Sequence, residues 1–474
     1  MNRQNCEYVV IGGGVSGLAT AWFLRKAGRD VRLLEKNPAV GGCMRTLRQD
    51  GFLLEQGPFN VLVRDPAFEQ LLGDLGDDIE VEPAGPDAKM RYLYLGGRLV
   101  PLPSGPASLL TSRFLSASGK MRLLAEPICA RRPKSDDPTI GDFATRHFGA
   151  EFAHNVLGAF VTGVFGGDAD RLSLKACFPS LGRLDREYRS LFLHGLSVPI
   201  RRIGKPKNPR RRWKGLINFV GGLGAVSDAI ARGLGNAVST NCEVTSVERR
   251  GDGYCVAYSA SGVSQSLDTR HVVLATPIGQ AIGLLKTMAD EPAGRIAESL
   301  ATVESVPLVI LNLGFRREDI GHDLKGFGFL VPPKEEGLSF LGVLWASSIF
   351  PSHAPPDHHL LRVFVGGAKR PELARKNDDE LVALAMDELR DLLELRGDPV
   401  LVNSCRHANA VPQYYPGHTE IVRCIRAQLS SVPNLHLVGN YLEGVSINDC
   451  VRQAREIVDK MVALPAEAAS LSGG

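Results

Sequence analysis

The segment YVVIGGGVSGLATAWFLRKAG, residues 8–28, leaves this chain few ways to begin folding. Residues 8–11 read as a short apolar strand, Gly12, Gly14 and Gly17 are spaced as GxGxxG, and helix formers run on to Lys26 until Gly28 stops them. Gly12 permits a tight turn, Gly14 lets backbone approach a pyrophosphate, and Gly17 lets the helix pack closely on the strand. The helix N-terminus, at Val15 and Ser16, then faces the phosphates. A second strand over 30–34 ends at Glu35, about where an acidic residue meets a ribose hydroxyl, while Lys36 beside it is placed near a 2′-phosphate. The pattern predicts a βαβ dinucleotide-binding unit and leaves NAD, NADP and FAD open.

At 474 residues, and roughly 150 per domain, two or three domains are expected. Apolar residues at 44% and charged residues at 23% are ordinary for a globular chain. No stretch reaches the roughly 18 uninterrupted apolar residues of a spanning helix. No leader pattern precedes the first strand, so a cytoplasmic protein is expected. Nine cysteines without a CxxC pair suit neither a disulfide framework nor zinc, and the eleven histidines are dispersed, so no metal site is expected. A net charge of +3 argues against a dedicated nucleic-acid binder.

VGGCMRT, residues 40–46, narrows the cofactor, because a second glycine pair and an arginine follow Glu35 where another close approach to phosphate needs glycine and a fixed cation. Here the chain resembles the flavin-containing amine oxidase superfamily, which sets this GGxxR turn against FAD. The resemblance implies FAD contacts at Gly41, Gly42, Arg45 and Thr46, and further along at Gly57 and Pro58. Near the C-terminus, NLHLVGNYLEGVSINDCV reads as a strand, Gly439, and a helix starting near Ser446, with Ser446 and Asp449 at capping-box spacing. That N-terminus suits an anionic reduced flavin. The resemblance implies that Gly439, Val445 and Ser446 line the isoalloxazine and that Val244, in the strand NCEVTSVERR, holds the adenine through its backbone. The strand ending at Ala275 returns to the same domain, which is therefore discontinuous: 1–86, 220–280 and 405–474.

The intervening segments resemble the oxygen-dependent protoporphyrinogen oxidase family. TIGDFATRHFGAEF followed by GVFGGDADRLSLKACFP carries the family signature, and AKMRYLYLGGRLVPLP, KGFGFLVPPKE, LGVLWASSIFPSHAP, VFVGGAKRPELA and AVPQYYPGH stand in family order, so the likeness spans nearly the whole chain. It implies an α/β fold: an FAD-binding, Rossmann-like domain, a mixed-sheet substrate domain (87–92, 180–219 and 281–404) and a helical membrane-associated insert (93–179). The implied activity is FAD-dependent oxidation of protoporphyrinogen IX to protoporphyrin IX in heme biosynthesis, by successive hydride transfers to FAD with O2 as acceptor, giving H2O2. The cofactor carries that chemistry, so no catalytic acid or base is named.

Family matching assigns substrate contacts to Arg91, beside a propionate, to Trp345, against the macrocycle where relatives carry Phe or Tyr, and to Gly163 and Gly166, whose missing side chains leave room for the ring. His407 stands where the family commonly has tryptophan and is expected to repack; Cys43, inside the GGxxR turn, is expected to be a packed thiol. Residues 104–130 carry Leu109, Phe114, Leu115, Met121, Leu124 and Ile128 partly at helical spacing, as for a helix on a core or a bilayer surface. The run RRIGKPKNPRRRWK, residues 201–214, has eight basic and no acidic residues and suits anionic lipid, a partner or solvent. The resemblance thus implies a porphyrinogen substrate with O2 and peripheral contact with the cytoplasmic membrane face, and admits a homodimer and handover to a chelatase. Alternatives are coproporphyrinogen III oxidation, a paralogous oxidase of secondary metabolism, an amine oxidase or carotenoid desaturase, and a flavin-free prenyl-protein chaperone of similar shape.

Overall fold

The first strand, Gln4–Ile11, is flanked in parallel by Val31–Leu34 on one side and Val263–Leu274 on the other. The structure is a computed structural model and describes residues 4–103, 105–195 and 212–463; most of the basic run, residues 201–211, and the tail 464–474, expected to be disordered, lie outside the described residues. Val238–Ser239 extends the sheet beyond Val31–Leu34, and Leu435–Leu437 joins the C-terminal half of Val263–Leu274. Ile11 pairs with both Leu34 and Leu274, and Leu274 pairs with Leu437, so four strands end in one line. The loops after them emerge side by side, at the edge where open α/β sheets bind ligands. Their apolar runs are continuous rather than alternating because both faces are covered. Leu18, Phe23, Val226 and Val451 pack on one face, and Ile278, Leu285, Ile296 and Ile425 on the other.

A second seven-stranded sheet is ordered Leu401–Pro412, Ser305–Arg316, His358–Gly366, Gly342–Trp345, Gly328–Leu330, Tyr92–Leu95, Arg98–Pro101. Its outer face is sealed by the helix Asp378–Arg390, whose Leu381, Ala385 and Leu389 meet Leu311, Leu313, Val363 and Trp345. The inner face looks toward the first domain. The substrate domain therefore begins differently from the sequence expectation. The stretch 93–101, expected in the insert, forms the edge hairpin of this sheet, and 405–412, expected in the flavin domain, completes its other edge. Gly96 and Gly97, both with positive φ, make the tight turn that the hairpin needs.

The insert is a set of short helices that continues past the expected end at 179, through Pro179–Glu187. It is held by a buried ionic cluster. His147 Nδ1 lies 2.8 Å from Glu126 and its Nε2 lies 2.9 Å from Asp185, so both contacts are hydrogen bonds when both ring nitrogens carry hydrogen. Arg146 grips Asp185 with two N–H groups at 3.0 and 2.7 Å, and Glu126 also accepts from Ser190 and from the Leu191 N–H. Burial opposes ionisation of both carboxylates, but these hydrogen bonds outweigh it and hold Glu126 and Asp185 below the usual carboxylate range.

In the first sheet Tyr8 stacks on His271 at 4.5 Å, and His271 faces His436 with their ring nitrogens 3.4 Å apart. Burial lowers His271 to about 4, aided by Arg270, and lowers His436 to about 3, aided by His271. Both are neutral when folded, whereas the unfolded chain takes up protons near pH 6.5. The stability they confer is therefore complete above that pH and is lost as pH falls from about 6.5 toward 4. The urea midpoint is expected to drop over this interval, and to drop less in a His271→Phe, His436→Phe double variant measured in parallel.

Candidate active site

Four loops meet where the parallel strands end. Gly12 turns the chain at φ 106°, and a Cβ there would lie 2.7 Å from the Ala275 carbonyl; a Cβ on Gly17 would strike the Gly12 carbonyl at 1.9 Å. Gly14 differs: a Cβ there would meet nothing within 4 Å, so the space above it is open. The helix Val15–Lys26 that starts here has no side-chain cap and no acidic residue in its first turn, leaving the N–H groups of Val15, Ser16 and Gly17 available for an anion. Glu35, nearly fully buried, is locked by the Gly13 N–H at 2.7 Å and by the Asn37 N–H at 2.8 Å. Lys36 beside it is exposed.

The second glycine turn stacks directly on the first. The Gly41 N–H donates to the Gly13 carbonyl at 2.7 Å, and a Cβ on Gly42 would sit 3.3 Å from the Gly14 Cα. Arg45, half-buried in that turn, has no hydrogen-bond or ion-pair partner for its guanidinium among the described residues. An unopposed cation beside an uncapped helix N-terminus fits a pyrophosphate. Cys43 is not the packed thiol expected from the sequence: it exposes surface, and yet burial pushes its thiol up, which fits a side chain lining an internal hollow. The Cys242 N–H bonds to the Glu35 carbonyl at 2.8 Å, which brings the strand bearing Val244 to the ribose end of this cradle.

On the far side, the Val438 N–H and Ala275 N–H tie their loops to Leu274 and Ile11. Gly439 is required because a Cβ there would lie 2.5 Å from the Tyr441 ring, and Val445 packs against the insert cluster of Phe165 and Leu174. Ser446 caps the helix Ile447–Ala463, its hydroxyl accepting from the Asp449 N–H at 3.2 Å, as its spacing predicts.

Two of the expected cofactor residues have other work. The Thr46 hydroxyl donates to Glu55 at 2.7 Å and accepts from the Gly224 N–H at 2.9 Å, so it buttresses the helix Gly224–Leu234. Gly57 is needed because a Cβ would come within 2.7 Å of the Cys43 carbonyl; Pro58 comes next, half-buried.

The substrate-side expectations need more correction. Trp345 is fully buried on the outer face of the second sheet, between Tyr92 at 5.4 Å and His322 at 5.1 Å, in the core under the helix Asp378–Arg390. Strand side chains alternate, so it is Leu344 that faces inward. A Cβ on Gly163 would lie 2.6 Å from Leu330, and Gly166 ends its helix at φ 57° with its carbonyl accepting from the Ala368 N–H. Gly163 is glycine because helix and sheet approach closely there, and Gly166 because its backbone is left-handed, which accounts for both without a ligand. Arg91 is exposed at the edge of the inner face, with its guanidinium 5.1 Å from the Phe327 ring and no acidic partner among the described residues. His407 is hydrogen-bonded across the junction: its Nε2 sits 2.6 Å from the Gln56 carbonyl. Arg362, inward-facing and fully buried, escapes the sequence reading; its alternation within HHLLRVFVG is the signal that could have found it.

Residues 15–462 match the family described as flavin containing amine oxidoreductase, and the chain belongs to that family. It is 30% identical to a mitochondrial protoporphyrinogen oxidase of Nicotiana tabacum, over 96% of this chain and 94% of that one. It is 27% identical to a coproporphyrinogen III oxidase of Bacillus subtilis, over 97% of this chain and 98% of that one. A crystal structure from Exiguobacterium sp. 255-15 covers 98% of this chain and 99% of its own with a TM-score of 0.80 at 22% identity, which shows the fold. The protein is thus an FAD-dependent oxidoreductase, and the cradle of Gly14, Arg45 and the uncapped helix fits that cofactor.

Gly14→Val, which fills the open space, is expected to purify colourless. Cys43→Ala, which removes a neutral thiol, is expected to keep its flavin spectrum; absorbance at 450 nm of the two proteins checks both.

Proposed function

We propose that this protein oxidises a porphyrinogen, protoporphyrinogen IX by preference, passing electrons through FAD to O2, and that its insert rests on a membrane surface. The observation that carries the substrate class is an inner sheet face that is apolar at Leu330 and Leu344 but carries an unpaired arginine at its edge. A porphyrinogen is a wide apolar ring with carboxylates at its rim. Arg91 can take one carboxylate through two parallel N–H groups while Phe327 holds the guanidinium in plane. Leu330 and Leu344 cover the macrocycle and exclude water from it. Bound FAD supplies the two-electron acceptor. Coproporphyrinogen III is the second reading, favoured by the relatives that bear that name, and it would ask for further cations around the rim.

The test is anaerobic mixing of the flavin-loaded protein with each porphyrinogen, following flavin bleaching and then porphyrin fluorescence on admitting air. Faster bleaching by protoporphyrinogen IX supports the first reading; the reverse order supports the second; no bleaching by either removes both. Arg91→Ala is expected to raise KM about tenfold, the loss of roughly 1.4 kcal/mol of binding, with kcat little changed.

For the membrane, support comes from large apolar side chains that the insert turns outward: Met121, Leu124 and Ile128, 51–80% exposed, with Leu193 and Phe192 beside them. The Leu191 and Phe192 N–H groups bond to Glu126, so these residues form one patch. No described helix is long and apolar enough to cross a membrane, so the contact would be peripheral. Flotation with anionic liposomes at low salt is expected to carry the protein upward, and a Met121→Ser, Ile128→Ser variant is expected to stay at the bottom.

A further inference from the structure

Arg362 lies on the strand His358–Gly366, between Asn312 and Leu344, on the inner face of the second sheet. It is completely buried. Its Nη2 donates to the Glu55 carbonyl at 2.9 Å and to the Gly57 carbonyl at 3.0 Å, and the guanidinium lies 4.9 Å from the Phe59 ring. Nε and Nη1 have no hydrogen-bond partner among the described residues. The Glu55 carboxylate attracts the guanidinium from beyond ion-pair distance, because its oxygens are taken by Thr46, Asn218 and the Leu223 N–H. Burial pulls Arg362 down to about 10, which still leaves it charged at neutral pH.

A buried cation with unspent donors is expensive. Two backbone carbonyls alone would be served as well by a neutral amide, so the charge asks for a separate reason. That reason is its position. The backbone it grips at Gly57 touches the Cys43 carbonyl, since a Cβ on Gly57 would lie only 2.7 Å away, and Cys43 sits in the Gly41–Arg45 turn and opens onto the hollow. The guanidinium therefore stands one layer of backbone behind the flavin cradle.

We propose that Arg362 is a positioning residue of the flavin site: it pins the 55–57 backbone to the substrate sheet, and its charge, felt through that single layer, favours the reduced, anionic flavin. The inference rests on FAD occupying the cradle and is independent of which substrate reduces it.

The test compares flavin midpoint potentials of the FAD-loaded protein, by dye equilibration in the absence of any porphyrinogen, for wild type, Arg362→Met and Arg362→Lys. Arg362→Met is expected to shift the equilibrium at least tenfold toward oxidised flavin, about 30 mV for a two-electron couple, and Arg362→Lys to stay near wild type. Thermal melting is read alongside. Exchanging a buried cation for an apolar side chain of similar volume is often neutral or stabilising, so Arg362→Met is expected to melt no lower than wild type. A Met variant with wild-type potential, or a Lys variant displaced as far as Met, would overturn the proposal and leave only a structural clamp. Should Arg362→Met not hold FAD, Arg362→Gln against Arg362→Lys makes the same comparison of charge. Because no porphyrinogen is present, failure here and failure of the substrate assignment are read separately.

Discussion

The hydrogen bond from the Gly41 N–H to the Gly13 carbonyl, at 2.7 Å, is the contact on which the rest of the flavin domain depends. It joins the turn after the first strand to the turn after the second, and so brings the uncapped helix start and the Arg45 guanidinium to one place. Each turn needs glycine at its left-handed position. Gly12 and Gly41 have φ of 106° and 105°, in the region that L side chains avoid, and Gly42 lies against Gly14. The line of strand ends at Ile11, Leu34, Leu274 and Leu437 then carries this local arrangement across the sheet, so that Glu35, Ala275 and Gly439 surround the same hollow.

The flavin half was legible in the sequence because its demands are local. Glycine spacing, a strand run, a helix start and an acidic residue at a fixed distance are all set within a few tens of residues, and Gly12, Gly14, Gly17, Glu35, Gly41 and Ser446 stand where their spacing puts them. The substrate half depends on which way a side chain leaves a strand, and a shift of one residue exchanges the two faces. Matching LGVLW to relatives assigns Trp345 to the macrocycle, but its own pairing with Leu361 and its neighbours Tyr92 and His322 put it in the outer core, with Leu344 turned inward. Gly163 and Gly166 are open to two meanings in sequence, space for a ligand or close approach of a helix, and only the position of Leu330 decides between them for Gly163. The hairpin over 92–101 was within reach: a Gly-Gly pair between apolar runs is a turn signal, and it argues against opening the helical insert at 93.

The two domains meet over a small apolar cluster, Phe52, Leu54 and Phe59 against Ile349, Phe350 and Leu360, and are pinned there by polar groups. Glu55, at the end of a strand of the flavin domain, collects Thr46, Asn218 and the Leu223 N–H, with His353 at 3.5 Å, all within the junction. His407 and Arg362 reach across from the second sheet to the carbonyls of Gln56 and of Glu55 and Gly57. An apolar junction could slide by small repacking; a set of directional bonds to backbone carbonyls has far fewer arrangements of equal energy. The shape of the hollow is thereby set by the junction.

The insert is held by the same two means. Its helices are short and pack on two small apolar clusters, one including Ile140, Phe143, Phe165 and Leu174 and the other Phe114, Leu115 and Leu123, while Met121, Leu124 and Ile128 face outward. Beside them, His147 links Glu126 to Asp185 and Arg146 grips Asp185, a hydrogen-bonded cluster nearly excluded from solvent. Attraction between such charges grows as the surrounding dielectric falls, whereas the hydrophobic effect disappears once apolar side chains meet an apolar phase. The ionic cluster therefore adds to the insert a cohesion that does not depend on water, beside the apolar clusters whose cohesion does.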